Sequence, residues 1–203
     1  DPRELTVIGN TGDDTEVWGL HVSPDLDTAA YALAGLLDVE RGWGLAGETF
    51  ECLRGMANHG ADTWFNLGDR DLATHLTRTR ALREGQPLSR VTARIAADLG
   101  VGVRIIPMSD DPVRTMILTP NGRLTFQEYF VREKALVDVV GVDYDGAPAA
   151  RPAPGVVDAK ASPVASSMGK ASMSPRTATT GADRSRPANR ATTFPSASAS
   201  SRM

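Results

Sequence analysis

The chain alternates between short apolar runs and longer segments whose apolar residues recur every three or four positions. The runs Leu5 to Ile8 and Val17 to Val22 flank a loop rich in glycine, asparagine and aspartate, so they predict two short strands. Ser23 then supplies an N-cap and Pro24 a first helical position, which predicts the start of a helix. The apolar positions of this helix follow at helical spacing: Leu26, Ala30, Leu33 and Leu37.

Three further helices are predicted before residue 100, and each ends at a glycine. The second helix has Phe50, Leu53 and Met56 on one side and stops near Gly60. The third is capped by Asp69 and runs through Leu72, Leu76 and Leu82 to Gly85. The fourth begins at Ser89, directs Val91, Ile95 and Leu99 inward and ends at Gly100. The middle of the chain is therefore predicted to be helical.

Strand patterns return after residue 100. "GVRIIPM" and "RTMILT" predict two strands around an acidic loop, the turn "PNG" leads into a long strand over "RLTFQEYFVRE", and Val137 to Val142 predicts a last one. Strands separated by helices are typical of α/β domains, so we expect a Rossmann-like, mainly parallel sheet with flanking helices. The chain starts directly on a strand, which is compatible with a mature domain and equally with a fragment in which the first strand of this sheet is missing.

Residues 160–203 differ in composition from the rest of the chain. Residues 1–159 hold 24 acidic and 15 basic side chains (net −9), whereas residues 160–203 hold one acidic and seven basic (net +6), which together give −3. The second part has no Leu or Ile and cannot bury enough apolar surface to offset its ordering entropy. We expect a core at 1–146, a linker at 147–159 and a disordered low-complexity tail at 160–203.

The composition argues against several classes of function. A net charge of −3 does not favour a nucleic-acid partner held by phosphate contacts. The single cysteine, Cys52, excludes an intramolecular disulfide framework and a multi-cysteine zinc site, and it is predicted to be a small buried residue. The sequence shows neither a signal segment nor an apolar run of about 18 residues. We therefore expect a soluble cytoplasmic protein without a membrane partner.

Four acidic groups are the candidates for chemistry: Asp13 and Asp14, Asp25 and Asp27, Asp69 and Asp71 around Arg70, and Asp110 and Asp111 with Arg114. Three of them lie where a predicted strand leads into a helix, which is where ligands bind in open α/β sheets. Carboxylates gathered there would repel a phosphate unless a divalent cation intervened, and Mg²⁺ is commonly held by one or two carboxylates plus phosphate oxygens. The arginines would then contact phosphate directly.

Each acidic group also has a purely structural interpretation. A single aspartate at a helix start is more often a cap than a ligand, and Asp25 and Asp69 taken alone are best read as caps. The three histidines show no metal-ligand spacing and are predicted at solvated or core-edge positions. No GxSxG, Walker or HExxH motif is present in the sequence. Trp18 and Trp43 lie beside glycine-rich, charged loops, where an exposed indole could stack on a flat ring.

Six segments taken in order, "NTGDD", "SPDLDT", "RGWGLAGETF", "LGDRDLATH", "PMSDDPVRT" and "FQEYFVR", resemble the 2-phospho-L-lactate transferase family, over about Leu5 to Gly155. The resemblance implies a phosphotransferase-type enzyme of coenzyme F-420 biosynthesis. Such an enzyme moves a 2-phospholactyl or phosphoenolpyruvyl group from a guanosine diphosphate-linked donor to the deazaflavin Fo and releases GMP. Mg²⁺ and a homodimer are also implied. No protein nucleophile or general base is assigned, because positioning and charge neutralisation carry such transfers.

The resemblance also assigns residues. It implies that Asp13 or Asp14 holds the metal together with Asp25 or Asp27, and that Asp27 lies close to the Fo hydroxyl. Asn66 occupies an Fo-binding position that is basic in some relatives. The predicted substrate-binding residues are Asp27, Asn66, Asp69, Arg70, Asp110, Asp111 and Arg114.

The sequence departs from the family pattern at both ends. The family's opening strand with its "GGTGG"-type loop and its later "PSNP" loop are not found, which predicts an incomplete gene product, read out of frame after about Ala159. A second interpretation is a non-enzymatic nucleotide-sugar-binding regulator, because a related family of gluconeogenesis factors shares the fold; "GDRDLATH" and "FQEYFVR" favour the transferase. A third is a fragment that folds poorly and is inactive, because a sheet edge is left unpaired.

Overall fold

The computed structural model describes residues 5–159. The helices are α1 (Pro24–Leu33), α2 (Glu51–Asn58), α3 (Asp71–Arg83) and α4 (Leu88–Asp98). The strands are β1 (Thr6–Gly9), β2 (Thr15–Val17), β3 (Leu20–Val22), β4 (Arg104–Pro107), β5 (Arg114–Thr119), β6 (Gly122–Thr125) and β7 (Gly141–Asp145), with a π-helical segment (Glu128–Arg132) between β6 and β7. The predicted tail at 160–203 lies outside the described residues.

A parallel pair of strands forms the centre of the fold. β1 and β4 pair in parallel, with Ile8 opposite Ile106. Helices α1 and α4 pack on this pair through a buried cluster of apolar residues: Leu26, Ala30, Leu88, Ala96 and Ile105. Gly9 ends β1 directly beneath Leu26, where a β-carbon would collide with the leucine side chain, so the close approach of α1 requires glycine. The predicted α/β fold with a parallel sheet and flanking helices is confirmed.

The other strand pairings among residues 5–159 are antiparallel. β2 and β3 form a hairpin whose two turn residues, Trp18 and Gly19, have φ values of 51° and 75°, as a type I′ turn requires at both positions. β5 lies between β6 and β7 in a second, three-stranded sheet. Only Pro120 and Asn121 connect β5 to β6, and such a short connection forces antiparallel pairing because a parallel crossover needs about a dozen residues.

The long strand predicted over "RLTFQEYFVRE" is wrong. β6 stops at Thr125, and the chain turns into the π-helical segment. The Thr125 backbone N–H donates to Glu128 Oε2 (2.8 Å), and the Glu128 N–H donates to Thr125 Oγ1 (3.2 Å). This reciprocal capping box satisfies the first helical N–H groups and ends the strand. The last strand is also displaced, to Gly141–Asp145, three residues beyond the predicted end.

Helix α3 buries a polar side in addition to Leu72 and Leu82, which pack against the core, while Leu76 faces solvent. Leu76 is 56% exposed, whereas Asp71, His75 and Arg78 are buried on the opposite face. These polar groups find partners on α1, so their burial is compensated. The prediction that the histidines are solvated or at the core edge is therefore wrong for His75, and the prediction that Cys52 is buried is wrong because this residue is exposed.

Residues 147–159, predicted as a linker, are tied to the loop that follows β4. Ala153 is buried, and its backbone N–H donates to the Met108 carbonyl at 3.1 Å. The Ser109 hydroxyl donates to the Arg151 carbonyl at 2.7 Å. Residues 151–153 therefore pack on the core, whereas Val157 is 80% exposed. Within residues 5–159, none of the helices combines the length and the apolar character that a membrane crossing requires.

Candidate active site

A pocket of about 320 Å³ opens between α1, α3 and the loops that precede them. Its walls are largely apolar and aromatic, and its floor is polar. The lining residues are Val22, Pro24, Asp27, Thr28, Tyr31, Trp43, Gly44, Phe65, Asn66, Leu67, Asp71, His75, Gln127 and Val131. Apolar walls with a few convergent polar groups are the usual features of a small-molecule site. Two of the predicted substrate-binding residues, Asp27 and Asn66, are among them.

The floor of the pocket is a buried polar network. The carboxylate of Asp27 accepts from both terminal nitrogens of Arg78, with Nη1 3.0 Å from Oδ2 and Nη2 in contact with Oδ1. Arg78 also donates to His75 Nδ1 at 3.3 Å, and His75 Nε2 lies 3.2 Å from Asp71 Oδ1. The Tyr31 hydroxyl donates to the same Asp71 oxygen at 2.5 Å. The network therefore joins α1 to α3 at two positions.

The protonation states of this network follow from its contacts. Burial alone would raise the pKa of Asp71, but its contacts with His75 and Tyr31 and the charge of Arg78 outweigh burial and lower that pKa. Burial together with the charges of Asp27 and Asp71 raises the pKa of Tyr31. Burial would lower the pKa of Arg78, but its ion pair with Asp27 raises it. The floor therefore carries ionised Asp71 and Arg78 and a neutral tyrosine near pH 7.

A second acidic group adjoins the pocket. The side-chain amide of Asn10 donates both to Asp13 Oδ1 (3.3 Å) and to Asp25 Oδ2 (3.1 Å), so these two carboxylates face the same nitrogen. Gln127, which lines the pocket, donates to Asp13 Oδ2 at 3.3 Å. Burial, then the charges of Asp25 and Asp14, raise the pKa of Asp13 to about 7. The structure thus brings the predicted metal residues Asp13 and Asp25 together.

Asp14 and Asp27 form their hydrogen bonds with other groups. Asp14 Oδ2 accepts from His21 Nε2 (3.0 Å) and from the Ser23 hydroxyl (2.9 Å), while its buried Oδ1 has no hydrogen-bond partner among the described residues. Ser23 occupies the predicted N-cap position of α1, but its hydroxyl serves Asp14 and makes no capping bond. Both oxygens of Asp27 accept from Arg78. The four predicted metal residues therefore fall into two sets.

A divalent cation of the Mg²⁺ type fits the first set. Within residues 5–159 no three His, Cys, Asp or Glu side chains converge as a complete ligand group. Mg²⁺ does not need one, since it usually keeps several waters and takes one or two carboxylates plus phosphate oxygens. Burial first, and then the charges of Asp25 and Asp14, raise the pKa of Asp13 although Arg114 opposes them, and a bound cation would offset the charges of the two neighbouring carboxylates.

A carboxylate from the loop before α3 caps the start of α2, and a carboxylate from the loop before α2 caps the start of α3. The carboxylate of Asp69 accepts from the backbone N–H groups of Glu51 and Cys52, both at 2.9 Å, at the start of α2. The carboxylate of Glu48 accepts from the N–H groups of Arg70 (2.9 Å) and Asp71 (2.8 Å), at the start of α3. The predicted role of Asp69 as the cap of α3 is therefore wrong: it caps α2, and its bonds to Thr49, Cys52 and Glu51 lower its pKa.

Replacement of Glu48 by alanine should lower the free energy of unfolding by about 1–2 kcal/mol, the usual cost of a lost helix cap. Two N–H groups at the start of α3 would lose their acceptor, and Asp71, which belongs to the pocket floor, would be less firmly placed. Chemical denaturation monitored by circular dichroism measures the effect. The exposed Glu40 of the same loop supplies a matched control, Glu40→Ala, and equal stability of the two variants would contradict the capping role.

The acidic loop after β4 has its own structural contacts. Asp110 accepts from the Ser89 backbone N–H (2.6 Å) and hydroxyl (2.8 Å), at the start of α4. Asp111 Oδ2 accepts from the Arg151 N–H at 2.8 Å. Arg114 lies close enough to Asp13 to oppose the rise in its pKa. Arg70 Nη1 donates to the Ala46 carbonyl at 3.1 Å. The assignment of Asp110, Asp111, Arg114 and Arg70 as substrate-binding residues stays a prediction.

Several residues of the site were not foreseen from the sequence. Tyr31, His75, Arg78 and Gln127 each join the pocket floor or the acidic group. A signal was present for two of them, because Asp71, His75 and Arg78 recur at i, i+4 and i+7 and so share one face of α3. Trp43, predicted to be able to present its indole, is 39% exposed and lines the pocket.

Comparisons with known proteins place these features in context. Residues 2–165 match the family described as 2-phospho-L-lactate transferase CofD. The phosphoenolpyruvate transferase of Streptomyces avermitilis is 48% identical over 161 residues, which cover 77% of this chain and 50% of that protein. The protein of the same name from Thermobifida fusca is 45% identical over 163 residues, which cover 78% and 51%. The chain spans about half the length of the curated relatives it matches.

The structure also resembles solved proteins at low sequence identity. A member of the UPF0052 family from Bacillus halodurans superposes with a TM-score of 0.44 and 15% identity, covering 76% of this chain and 46% of that chain.

Proposed function

Because the chain belongs to the 2-phospho-L-lactate transferase family, we propose that it transfers a phospholactyl or phosphoenolpyruvyl group from a guanosine diphosphate-linked donor to the deazaflavin Fo. The terminal hydroxyl oxygen of Fo forms a new bond to the phosphorus next to the three-carbon acid and releases its proton to solvent, while the bond from that phosphorus to the bridging oxygen breaks and GMP leaves with that oxygen. The single observation that carries the proposal is that an apolar pocket and a pair of carboxylates adjoin through one side chain, Gln127.

The pocket suits the acceptor. Phe65 and Trp43 supply aromatic surface beside apolar walls, as a flat heteroaromatic ring requires. On the floor, the carboxylate of Asp27 can accept a hydrogen bond from a hydroxyl, and each carboxylate oxygen has a lone pair beyond the one that faces Arg78. Asn66, exposed at the rim, offers both an amide donor and a carbonyl acceptor. The acceptor hydroxyl is therefore proposed to bind near Asp27.

The acidic pair suits the donor. Mg²⁺ held by Asp13 and Asp25 would neutralise the diphosphate as its bond to the acid-bearing phosphorus breaks. Asn10 holds the two carboxylates toward each other, and Gln127, which lines the pocket, contacts Asp13. Without a cation these carboxylates would repel a phosphate group. The donor diphosphate is therefore proposed to lie on the Asp13 side of Gln127 and Fo on the other side.

The relatives favour one of the candidate donors. The curated proteins at 45–48% identity are called phosphoenolpyruvate transferases, so we propose phosphoenolpyruvate as the three-carbon acid of the donor. The test is GMP release in the presence of Fo, Mg²⁺ and either the enolpyruvyl or the lactyl donor. Faster release from the enolpyruvyl donor supports the proposal, and a preference for the lactyl donor contradicts it.

Binding measurements on the chain itself separate the transferase from the regulator alternative. Isothermal titration with Fo and, separately, with a UDP-sugar should give saturable binding of Fo. Binding of the UDP-sugar without any binding of Fo would contradict the proposed function and favour a nucleotide-sugar-binding regulator.

Replacement of Trp43 by alanine should weaken the binding of Fo about two- to tenfold, because a stacked aromatic contact contributes about 0.5–1.5 kcal/mol. The fluorescence of Fo on titration with the chain measures the dissociation constant. Val39, 83% exposed in the same loop, provides a control in Val39→Ala, for which unchanged binding is expected. Equal affinities of the Trp43 variant and the unaltered chain would exclude a stacking role.

A further inference from the structure

The buried guanidinium of Arg78 is the least expected group beneath the pocket. Its side chain is only 2% exposed and lies in the middle of α3. Both of its terminal nitrogens donate to the two oxygens of Asp27, while its Nε has no hydrogen-bond partner among the described residues. A buried ion pair is weak evidence for stability, because well-packed apolar residues of similar volume often stabilise a fold as well or better. The pair therefore calls for another explanation.

The geometry fixes the orientation of the Asp27 carboxylate. A bidentate pair aligns the plane of the carboxylate with the plane of the guanidinium, which a single hydrogen bond does not do. Asp27 lines the pocket, and Arg78 approaches it from the protein interior. The pair therefore directs the carboxylate lone pairs that Arg78 does not use toward the pocket. An unpaired Asp27 would be free to turn among its rotamers.

A second layer holds Arg78 in place. A guanidinium can only donate, so His75 Nδ1 accepts from Arg78 Nη1 (3.3 Å) and the proton of the neutral imidazole lies on Nε2. That nitrogen lies 3.2 Å from Asp71 Oδ1, which also accepts from the Tyr31 hydroxyl at 2.5 Å. Tyr31 belongs to α1, one turn beyond Asp27, so the network returns to the helix from which it started. His75 Nε2 and Arg78 Nε have no hydrogen-bond partner among the described residues, so the hydrogen bonds of the network are those of Arg78 with Asp27 and His75 and that of Tyr31 with Asp71.

We propose that Arg78 is a positioning residue for acceptor binding, which sets the orientation of Asp27 and is itself held by His75, Asp71 and Tyr31. This inference rests on the proposed function, because it assigns Asp27 to the acceptor site. It adds to that function a residue with no direct contact to the acceptor: Arg78 acts through Asp27, from the side of the carboxylate that faces the interior. The oriented carboxylate selects a ligand that carries a hydroxyl group, because it accepts hydrogen bonds and so requires a donor.

The test is a double-mutant cycle on the 203-residue chain, with Fo as the titrated probe. Arg78→Met should weaken Fo binding at least tenfold at a temperature where circular dichroism shows the variant folded. Arg78→Lys, which keeps the charge but loses the bidentate geometry, should give an intermediate loss. Asp27→Asn combined with Arg78→Met should bind no more weakly than Asp27→Asn alone, because Arg78 acts through Asp27. Arg80→Met is the matched control, since Arg80 lies on the same helix with its side chain 83% exposed.

Each outcome decides between the interpretations. Independent, additive losses from Asp27→Asn and Arg78→Met, or unchanged binding by a folded Arg78 variant, would overturn the positioning role and leave the proposed function intact. If Arg78→Met does not fold, the same comparison is made with Arg78→Lys and with the double variant, in which no unpaired buried charge remains. If the unaltered chain does not bind Fo, the proposed function fails first and the inference fails with it.

Discussion

Replacement of Asp13 by asparagine should raise the free energy of unfolding at pH 8 by roughly 3–4 kcal/mol and remove most of its pH dependence between about pH 4 and pH 7. The Asp13 carboxyl is 8% exposed, and burial with the charges of Asp25 and Asp14 raises its pKa from 3.8 to about 7. The folded chain therefore keeps the Asp13 proton at pH values where the unfolded chain has lost it. The contribution of Asp13 to stability is therefore greatest below pH 3.8 and is lost as the pH rises to about 7.

Urea denaturation at pH 5, 6, 7 and 8 measures this effect. The unaltered chain should lose stability over that range as Asp13 ionises, whereas Asp13→Asn carries no charge at any of these values and should change much less. Asp98→Asn removes an exposed acid from the end of α4 and is the control for a general change in net charge. If the free energy of unfolding changed with pH in the same way in all three chains, that result would contradict the raised pKa of Asp13. Millimolar Mg²⁺ should narrow the difference at pH 8 by stabilising the unaltered chain.

Replacement of Asp27 by alanine should lower the free energy of unfolding by about 3–5 kcal/mol, the usual cost of removing one member of a buried ion pair. Arg78 would keep its charge in the interior with neither oxygen of its partner present. The double variant Asp27→Ala, Arg78→Met should be more stable than the single one, because no uncompensated charge stays buried. Thermal and chemical unfolding of both variants measure the comparison.

Asp25 provides the control for this second prediction. It lies two residues from Asp27 in the same first turn of α1, but it is exposed. Its replacement by alanine should cost less than about 1 kcal/mol, as is usual for exposed charges near a helix start. A loss at Asp25 as large as that at Asp27 would assign the effect to the helix terminus and not to the buried pair.

The sequence predicted the elements whose signals are local. Pro24 marked the first residue of α1, and Gly85 and Gly100 follow the ends of α3 and α4 with φ values of 83° and 76°. The capping box between Thr125 and Glu128 is equally local, and its T-x-x-E spacing is visible in the sequence, but the β-rich composition around it favours a strand.

The polar interior of the site could not be predicted in the same way. The Arg78 pair with Asp27 spans 51 residues, and Glu48 reaches a helix start 22 and 23 residues away. No local pattern states that a charged residue will find a buried partner at such a distance, so burial of His75 and Arg78 contradicted ordinary expectation. The acidic groups were recognised as a set, but only coordinates could separate Asp13 and Asp25 from the carboxylates that cap α2 and α4.

The exchange of carboxylates between the loops before α2 and α3 has a consequence for the order of folding. α2 has eight residues and α3 has thirteen, lengths at which isolated helices are marginal in water. Each receives its terminal acceptor from a segment beside the other helix. Nucleation of either helix therefore depends on closing the stretch of chain between the start of that helix and the carboxylate that caps it. The two helices should gain protection from hydrogen exchange together, as one cooperative unit.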